Sequence, residues 1–207
     1  LSYKGRANMY EVDRSIFSLL RNGFDPRIGM DPYKLFVYTS FKERATRISH
    51  QNTGKVAGKY GDPVLERICR AISGDESRHE AFYKNMMKHI FELDPDGAML
   101  AYARLLKSQV VMPAEEMEDG EPDLYEHFSL VAQKEGVYTS LDYTEIIEHL
   151  NEFWDTANRS VKGVAAKAQD YVCSLPDRYR RTLVPRMERV LKKVEPRSYA
   201  WLWGEKV

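Results

Sequence analysis

Two Asp-Pro pairs, 31 residues apart, constrain the fold of this chain more than any other feature. "DPY" at 31–33 and "DPV" at 62–64 each place an acidic N-cap residue before a proline at the first helical position. Proline is tolerated there because its missing N–H would have no partner in the helix. The pairs predict two core helices at about 32–60 and 63–93, and the tight turn at Gly61 predicts that these helices are antiparallel neighbours.

The rest of the chain also has the sequence pattern of helices. One helix is predicted over about 10–21, and shorter ones near 97–110, 122–134, 141–154, 163–174 and 177–193. Pro176 should separate the last two, and Pro185 should kink or split the final one. The tail "SYAWLWGEKV" predicts a short strand or an aromatic lid. Since there is no internal repeat and no Gly/Ser linker, residues 1–207 are interpreted as one all-α domain.

Composition excludes several function classes. Thirty-one basic and 31 acidic residues cancel in a chain of 207, so no global field favours nucleic acid or an anionic membrane surface. Any acidic partner must meet a local basic patch. No apolar run approaches the roughly 18 residues of a membrane span. Cys69 and Cys173 form neither a disulfide framework nor a C-x-x-C site, which is typical of a reducing compartment.

An acid and a histidine stand three residues apart in "ISGDESRHEAF", on the predicted apolar stripe of the second core helix. A carboxylate on a buried apolar face costs several kcal/mol unless a cation or strong hydrogen bonds compensate it. Residues i and i+3 share one face of a helix, so Glu76 and His79 could hold the same metal ion. The stripe consists of Val64, Ile68, Ile72, Phe82, Tyr83, Met86, Met87 and Ile90.

The first core helix supplies a second carboxylate at a matching height. Glu43 lies 18 residues before Gly61, and Glu76 lies 15 residues after it. In antiparallel helices these two heights agree within one turn. The residue count therefore indicates that the carboxylates of Glu43 and Glu76 can meet.

Other interpretations remain open at this point. E-x-x-H has only two fixed positions and can occur by chance, and Glu43 beside Lys42 and Arg44 is typical of a surface ion pair. Glu145 and His149, spaced i and i+4, are a second candidate metal pair, although their flanking residues suggest a solvated surface.

Longer stretches carry a resemblance that is more specific than this motif. They are "DPYKLFVYTSFKERATRISHQNT", "ISGDESRHEAFYKNMMKHIFELDPDGAMLAYARLL", "MPAEEMEDG", "FSLVAQKEGVYTSLDY" and "KAQDYVCSLPDR". From about Ser2 to its end the chain resembles the plant-type soluble acyl-(acyl carrier protein) desaturases. The resemblance implies a ferritin-like di-iron helical bundle, in which two helices each give a glutamate and two others each give a Glu-x-x-His.

The resemblance also implies roles for seven residues. Glu43 would be a terminal iron ligand, Glu76 a carboxylate bridging two iron ions, and His79 a terminal ligand on the same iron as Glu43. For catalysis, Thr46 would face the oxygen site with its hydroxyl, and Asp75 would support a histidine ligand and the electron path. Leu35 and Phe36 would lie near the acyl channel, which the larger side chain of Leu35 could shorten.

One departure from the family pattern is large. The chain contains a single E-x-x-H and therefore three of the six protein ligands that a di-iron centre needs. Since it begins at Leu1, we expect an N-terminal portion with the other ligands to be missing through processing, a partial reading frame or trimming. The stripe around Glu76 would then lose the helices that cover it.

For the complete protein, the resemblance implies insertion of a cis double bond into a saturated acyl chain for fatty acid biosynthesis. The implied partners are O2, reduced ferredoxin and an acidic acyl carrier protein, in a homodimer in the plastid stroma or, alternatively, the bacterial cytoplasm. Two alternatives remain, namely a non-catalytic or decayed helical fragment without iron, and another ferritin-like oxidase or iron store.

Overall fold

The computed structural model describes residue 5, residues 7–120 and residues 123–207. This part of the chain contains seven α-helices and short 3-10 turns, which confirms the predicted all-α class and fits a ferritin-like helical bundle. The predicted start of the fifth helix, at 122, lies outside the described residues. The helices are α1 Met9–Asn22, α2 Pro32–Lys59, α3 Pro63–Leu93, α4 Pro95–Ser108, α5 Leu124–Lys134, α6 Ser140–Phe153 and α7 Val164–Leu191.

The two long central helices begin where the Asp-Pro pairs predict. Oδ1 of Asp31 accepts hydrogen bonds from the backbone N–H groups of Tyr33 and Lys34, at 3.0 and 3.2 Å. Oδ1 of Asp62 accepts one from the N–H of Leu65 at 3.1 Å. Gly61 joins the helices with a φ of 76°, a left-handed conformation that glycine adopts without strain. The predicted helix pair is confirmed.

Another Asp-Pro pair, Asp94–Pro95, starts α4 two residues earlier than predicted. Asp94 caps this helix by accepting a hydrogen bond from the N–H of Gly97 at 2.9 Å, and Pro95 is its first residue. The sequence interpretation ended α3 at about 93 and began the next helix at about 97. Because one residue caps α4 directly after α3 ends, the chain turns without a loop between them.

The hydrophobic core surrounds α4. This helix buries Met99, Tyr102 and Leu105 completely, and it packs between the α2–α3 pair and α7. Trp154, which follows α6, fills the space between Tyr102 and Phe91, with ring centroids at 5.1 and 5.6 Å. The core therefore fixes α2 and α3 from one side.

None of the helices in the described part of the chain combines the length and apolar character that a bilayer crossing requires.

The prediction that Pro176 separates two helices is wrong, because α7 runs through Pro176 and Pro185. Proline at 176 cannot donate to the carbonyl of Val172, one turn earlier. The side chain of Asn151, on α6, donates to that carbonyl instead, at 2.9 Å. A tertiary hydrogen bond thus replaces the missing helical one and lets α7 continue.

The aromatic tail folds back onto α1. Ser198 and Lys206 form an isolated antiparallel bridge around the 3-10 turn Ala200–Leu202, so the predicted strand is reduced to a single pairing. Nε1 of Trp201 donates to Oγ of Ser15 at 2.7 Å. The tail therefore covers α1 and lies outside the core around α4.

Candidate metal centre

The three predicted ligands converge between α2 and α3. Glu43 comes from the middle of α2, and Glu76 and His79 come from α3. One ligand atom from each lies within 4.8 Å of the other two. Nδ1 of His79 is 3.2 Å from Oε2 of Glu43 and 3.2 Å from Oε2 of Glu76. The two helices thus meet at the height that the residue count predicts.

Burial decreases across this cluster. The exposed fraction of the side chain is 7% for Glu43, 17% for Glu76 and 56% for His79. Lys42, on the same helix as Glu43, places Nζ 3.3 Å from Oε1 of that residue. The cluster is closed on the side of α2 and open at His79.

The charges in the cluster shift one another's protonation. Burial raises the pKa of Glu43, and the adjacent Glu76 adds to this effect. Burial opposes ionisation of Glu76 as well, but hydrogen bonds with Glu43 and His79 hold its pKa below the usual range. Hydrogen bonding to Glu76 and then to Glu43 raises the pKa of His79. The three side chains therefore compete for protons, which a bound metal ion would replace.

The apolar stripe around Glu76 is exposed over much of its length, and there the prediction that it forms a core face is wrong. Val64, Ile68 and Phe82 are exposed by half or more. At its C-terminal end the stripe does reach the core, since Met87 is fully buried and Ile90 packs against the core cluster. The other buried residues of α3, Cys69, Glu80 and Phe91, lie outside the predicted stripe. An uncovered stripe agrees with the expectation that other helices pack on it in the complete bundle.

The two predicted catalytic residues, Thr46 and Asp75, make contacts with groups other than the three ligand side chains. The hydroxyl of Thr46 donates to backbone carbonyls of its own helix, at 3.0 Å to Glu43 and 3.1 Å to Lys42. Asp75 lies on the exposed side of α3, where its carboxylate pairs with Arg78. Their catalytic roles stay predictions.

The two predicted channel residues lie near the start of α2, about two turns before Glu43. Phe36 is half-buried, with its ring centroid 6.3 Å from that of Tyr83 on α3. Leu35 is 43% exposed. An acyl-channel role for them also remains a prediction.

Sequence reasoning missed a second charged cluster, centred on Glu80. Its side chain is 4% exposed and receives Arg44 at 2.8 Å and Arg47 at 3.1 Å from α2. Lys84 reaches the same carboxylate at 3.1 Å, and His149 from α6 at 3.4 Å. Burial alone would raise the pKa of Glu80, but hydrogen bonds from His149, Arg44 and Lys84 hold it well below its usual range.

This second cluster bears on the alternative metal pair, Glu145 and His149, because it contains His149. His149 faces Glu80 and Lys84, whereas Glu145 is exposed. The pair is therefore not joined at one site. The signal that could have located Glu80 is its helical spacing to Met87 and Phe91, which puts all three on one face of α3.

Comparison with known proteins identifies the family. The family model described as "Fatty acid desaturase" matches residues 1–203. This chain belongs to the fatty acid desaturase family.

Curated relatives of this desaturase-family chain come from plants. It is 44% identical over 209 residues to the chloroplastic stearoyl-[acyl-carrier-protein] 9-desaturase of Olea europaea, covering 100% of this chain and 53% of the relative. It is 43% identical over 211 residues to that of Gossypium hirsutum, with coverage of 100% and 53%. It is 41% identical over 209 residues to the acyl-[acyl-carrier-protein] 6-desaturase of Thunbergia alata, with coverage of 100% and 54%. The chain thus spans about half the length of these relatives.

The donor set of the cluster suits iron. Two carboxylates and one imidazole provide oxygen and nitrogen ligands, which bind first-row transition metals such as iron. The ligand atoms share one small volume, and burial raises the pKa of Glu43 within it. In this family member, Glu43, Glu76 and His79 therefore fit a metal-binding role.

Proposed function

We propose that the complete protein is an acyl-(acyl carrier protein) desaturase with a di-iron centre. The observation that carries the proposal is the convergence of Glu43, Glu76 and His79 within 4.8 Å in a chain of the fatty acid desaturase family. Glu76 would bridge two iron ions, and Glu43 and His79 would bind the same one of them. Relatives named as acyl-carrier-protein desaturases support this function.

Bound iron would supply the activation of O2 by two electrons, which no amino-acid side chain provides. The residues of this chain would bind and orient. Lys42 lies beside Glu43 and lowers the cost of its negative charge. Thr46 would face the oxygen site, Asp75 would support a histidine ligand and the electron path, and Leu35 and Phe36 would help to fix the position of the acyl chain.

A basic surface on α7 fits the acidic carrier protein. Five exposed basic residues between 178 and 192 fall within an arc of about 140° on the helix, given 100° per residue. The acidic residues of this stretch, Asp177 and Glu188, lie to one side of the arc, and Arg180 turns away to pair with Glu148. Charge complementarity of this kind raises association rates. The five residues are Arg178, Arg181, Arg186, Arg189 and Lys192.

The remaining partners follow from the same proposal. Ferredoxin would deliver the two electrons, and the working enzyme would be a homodimer. Because relatives are named chloroplastic, the proposed location is the plastid stroma, with the bacterial cytoplasm as the alternative.

The decisive experiment expresses the chain together with the coding sequence upstream of Leu1. About two iron ions per chain and desaturation of stearoyl-carrier protein with reduced ferredoxin are expected. Glu76→Gln should abolish turnover, whereas the control Glu145→Gln, at an exposed acid of α6, should not. Near-zero iron would refute the proposal and would favour the alternative, a non-catalytic helical fragment.

The docking surface has its own test in the same assay. Arg181→Glu combined with Arg189→Glu should raise KM for the carrier-bound substrate and leave kcat nearly unchanged. The matched control is Arg70→Glu, at an exposed arginine of α3. An unchanged KM would exclude this face of α7 as the docking surface.

A further inference from the structure

The height of Glu43 relative to Glu76 needs a physical cause. Glu43 lies 18 residues from the turn at Gly61, which is about 27 Å along a helix at 1.5 Å per residue. A turn that distant leaves room for one helix to slide or splay against the other. Glu43 and Glu76 can share a hydrogen bond only while one of them is protonated, and they repel when both are ionised, so they do not supply the alignment.

The cluster around Glu80 is the charged contact between α2 and α3 nearest to the ligands in sequence. Arg44 follows Glu43 directly, and Glu80 follows His79 directly. Nη1 of Arg44 lies 2.8 Å from Oε1 of Glu80, and Nε of Arg47 lies 3.1 Å from Oε2. The two oxygens of one carboxylate thus hold two successive turns of α2.

The composition of this cluster is not the one that stability alone favours. Glu80 carries a single negative charge and is nearly inaccessible, yet Arg44, Arg47 and Lys84 all point at it. Buried ion pairs are often no more stabilising than apolar residues of similar size. What they provide is direction, because the hydrogen bonds that Arg44 and Lys84 donate to Glu80 restrict both distance and angle, and Arg47 adds an ion pair at 3.1 Å.

We infer that Glu80 is a positioning residue that holds Glu43 opposite Glu76 and His79, at the separation that one metal ion can bridge. The inference rests on the proposed metal-binding function. Arg44 and Arg47 are its partners on α2, and Lys84 and His149 keep the carboxylate of Glu80 in place from the other side.

The test uses Co2+ as the probe, added to the chain expressed together with the coding sequence upstream of Leu1 and followed by its visible absorption. The wild type should bind Co2+, and Glu76→Gln should lose this binding. Glu80→Gln should weaken binding by about 10- to 100-fold, the range found when residues that orient metal ligands are changed, and should shift the absorption bands. The matched control Asp119→Asn weakens a comparably buried carboxylate that pairs with Arg197, and should leave both readouts unchanged.

A second variant separates positioning from stability. In a Lys84→Met background, replacing Glu80, Arg44 and Arg47 together by methionine removes the charges of all four residues and should restore the midpoint of urea unfolding. Since apolar contacts are non-directional, Co2+ affinity should stay low. If Glu80→Gln does not fold, this variant still shows whether Glu80 positions the ligands or only stabilises the fold.

The outcomes are distinct. A wild-type chain that takes up no Co2+ would refute the proposed function. Binding by the wild type together with equal binding by Glu80→Gln would overturn only the role of Glu80. Recovery of both affinity and stability in the quadruple methionine variant would likewise reduce Glu80 to a structural residue.

Discussion

Asn151 should be worth more to stability than an ordinary half-buried asparagine, because it replaces a backbone hydrogen bond inside α7. Its Nδ2 lies 2.9 Å from the carbonyl of Val172, a fully buried residue whose normal helical donor would be the N–H of residue 176. Asn151→Ala leaves that carbonyl unsatisfied, at a cost of about 1–3 kcal/mol. At about 2 kcal/mol, the melting temperature of a chain of this size should fall by about 4–8 °C.

The assay is urea unfolding followed by circular dichroism, extrapolated linearly to zero denaturant. Asn158→Ala is the control, since its amide bonds Asp155 at an exposed position and should cost less than about 0.5 kcal/mol. A double-mutant cycle with Pro176→Ala is the decisive step. Alanine at 176 restores the N–H that Val172 lacks, so the cost of Asn151→Ala should shrink by about 1 kcal/mol in that background. An equal cost in both backgrounds would refute the reasoning.

Four further predictions follow from the site and the core. Co2+ affinity should fall as pH decreases, by up to about tenfold per pH unit, because a bound metal must displace the proton of His79. Since the pKa of His79 is raised above 6.5, this fall should begin above pH 6.5. A Co2+ affinity that stays constant from pH 8 to 6 would contradict the prediction. By the same linkage, protonated His79 stabilises the fold below pH 6.5, and this contribution is lost as pH rises through the raised pKa of His79. The free energy of unfolding in urea, measured at pH 6 and at pH 8, gives the size of this loss. Trp154→Ala should cost about 3–5 kcal/mol in urea unfolding, because the side chain is fully buried; a cost below about 1 kcal/mol would exclude a core role. Asp94→Ala should cost about 1 kcal/mol through loss of the cap on Gly97, and an unchanged unfolding midpoint would rule that cap out.

The elements that could be predicted from sequence are those with local causes. The bounds of α2 and α3 follow from Asp31 and Asp62, whose side chains bond the backbone of the very next turn. The meeting of Glu43 with Glu76 follows from helix geometry and one tight turn. Both features are set by local geometry and do not depend on what packs around the two helices.

The failures have tertiary causes. Continuity of α7 through Pro176 depends on Asn151, 25 residues earlier in the chain, so no local signal could indicate it. The cluster on Glu80 consists of side chains from three helices, which are far apart in the sequence. The sequence pattern therefore indicates only the neighbouring E-x-x-H. Exposure of His79 depends on which helices cover α3, which the residues around it do not specify.

The antiparallel pair of α2 and α3 has a consequence for synthesis of the protein. The three candidate ligands lie within a segment of 37 residues, 43–79, closed by one turn, so their contacts have low sequence separation and can form quickly. Domains emerge from the ribosome N-terminus first. The pair is therefore complete before α4 exists, and during that interval Phe41, Met87 and Phe91 have no core to enter. A nascent chain that has emerged from the ribosome only as far as residue 94 would present the ligand cluster on one side and an uncovered apolar surface on the other, which makes this stage the one most in need of a chaperone.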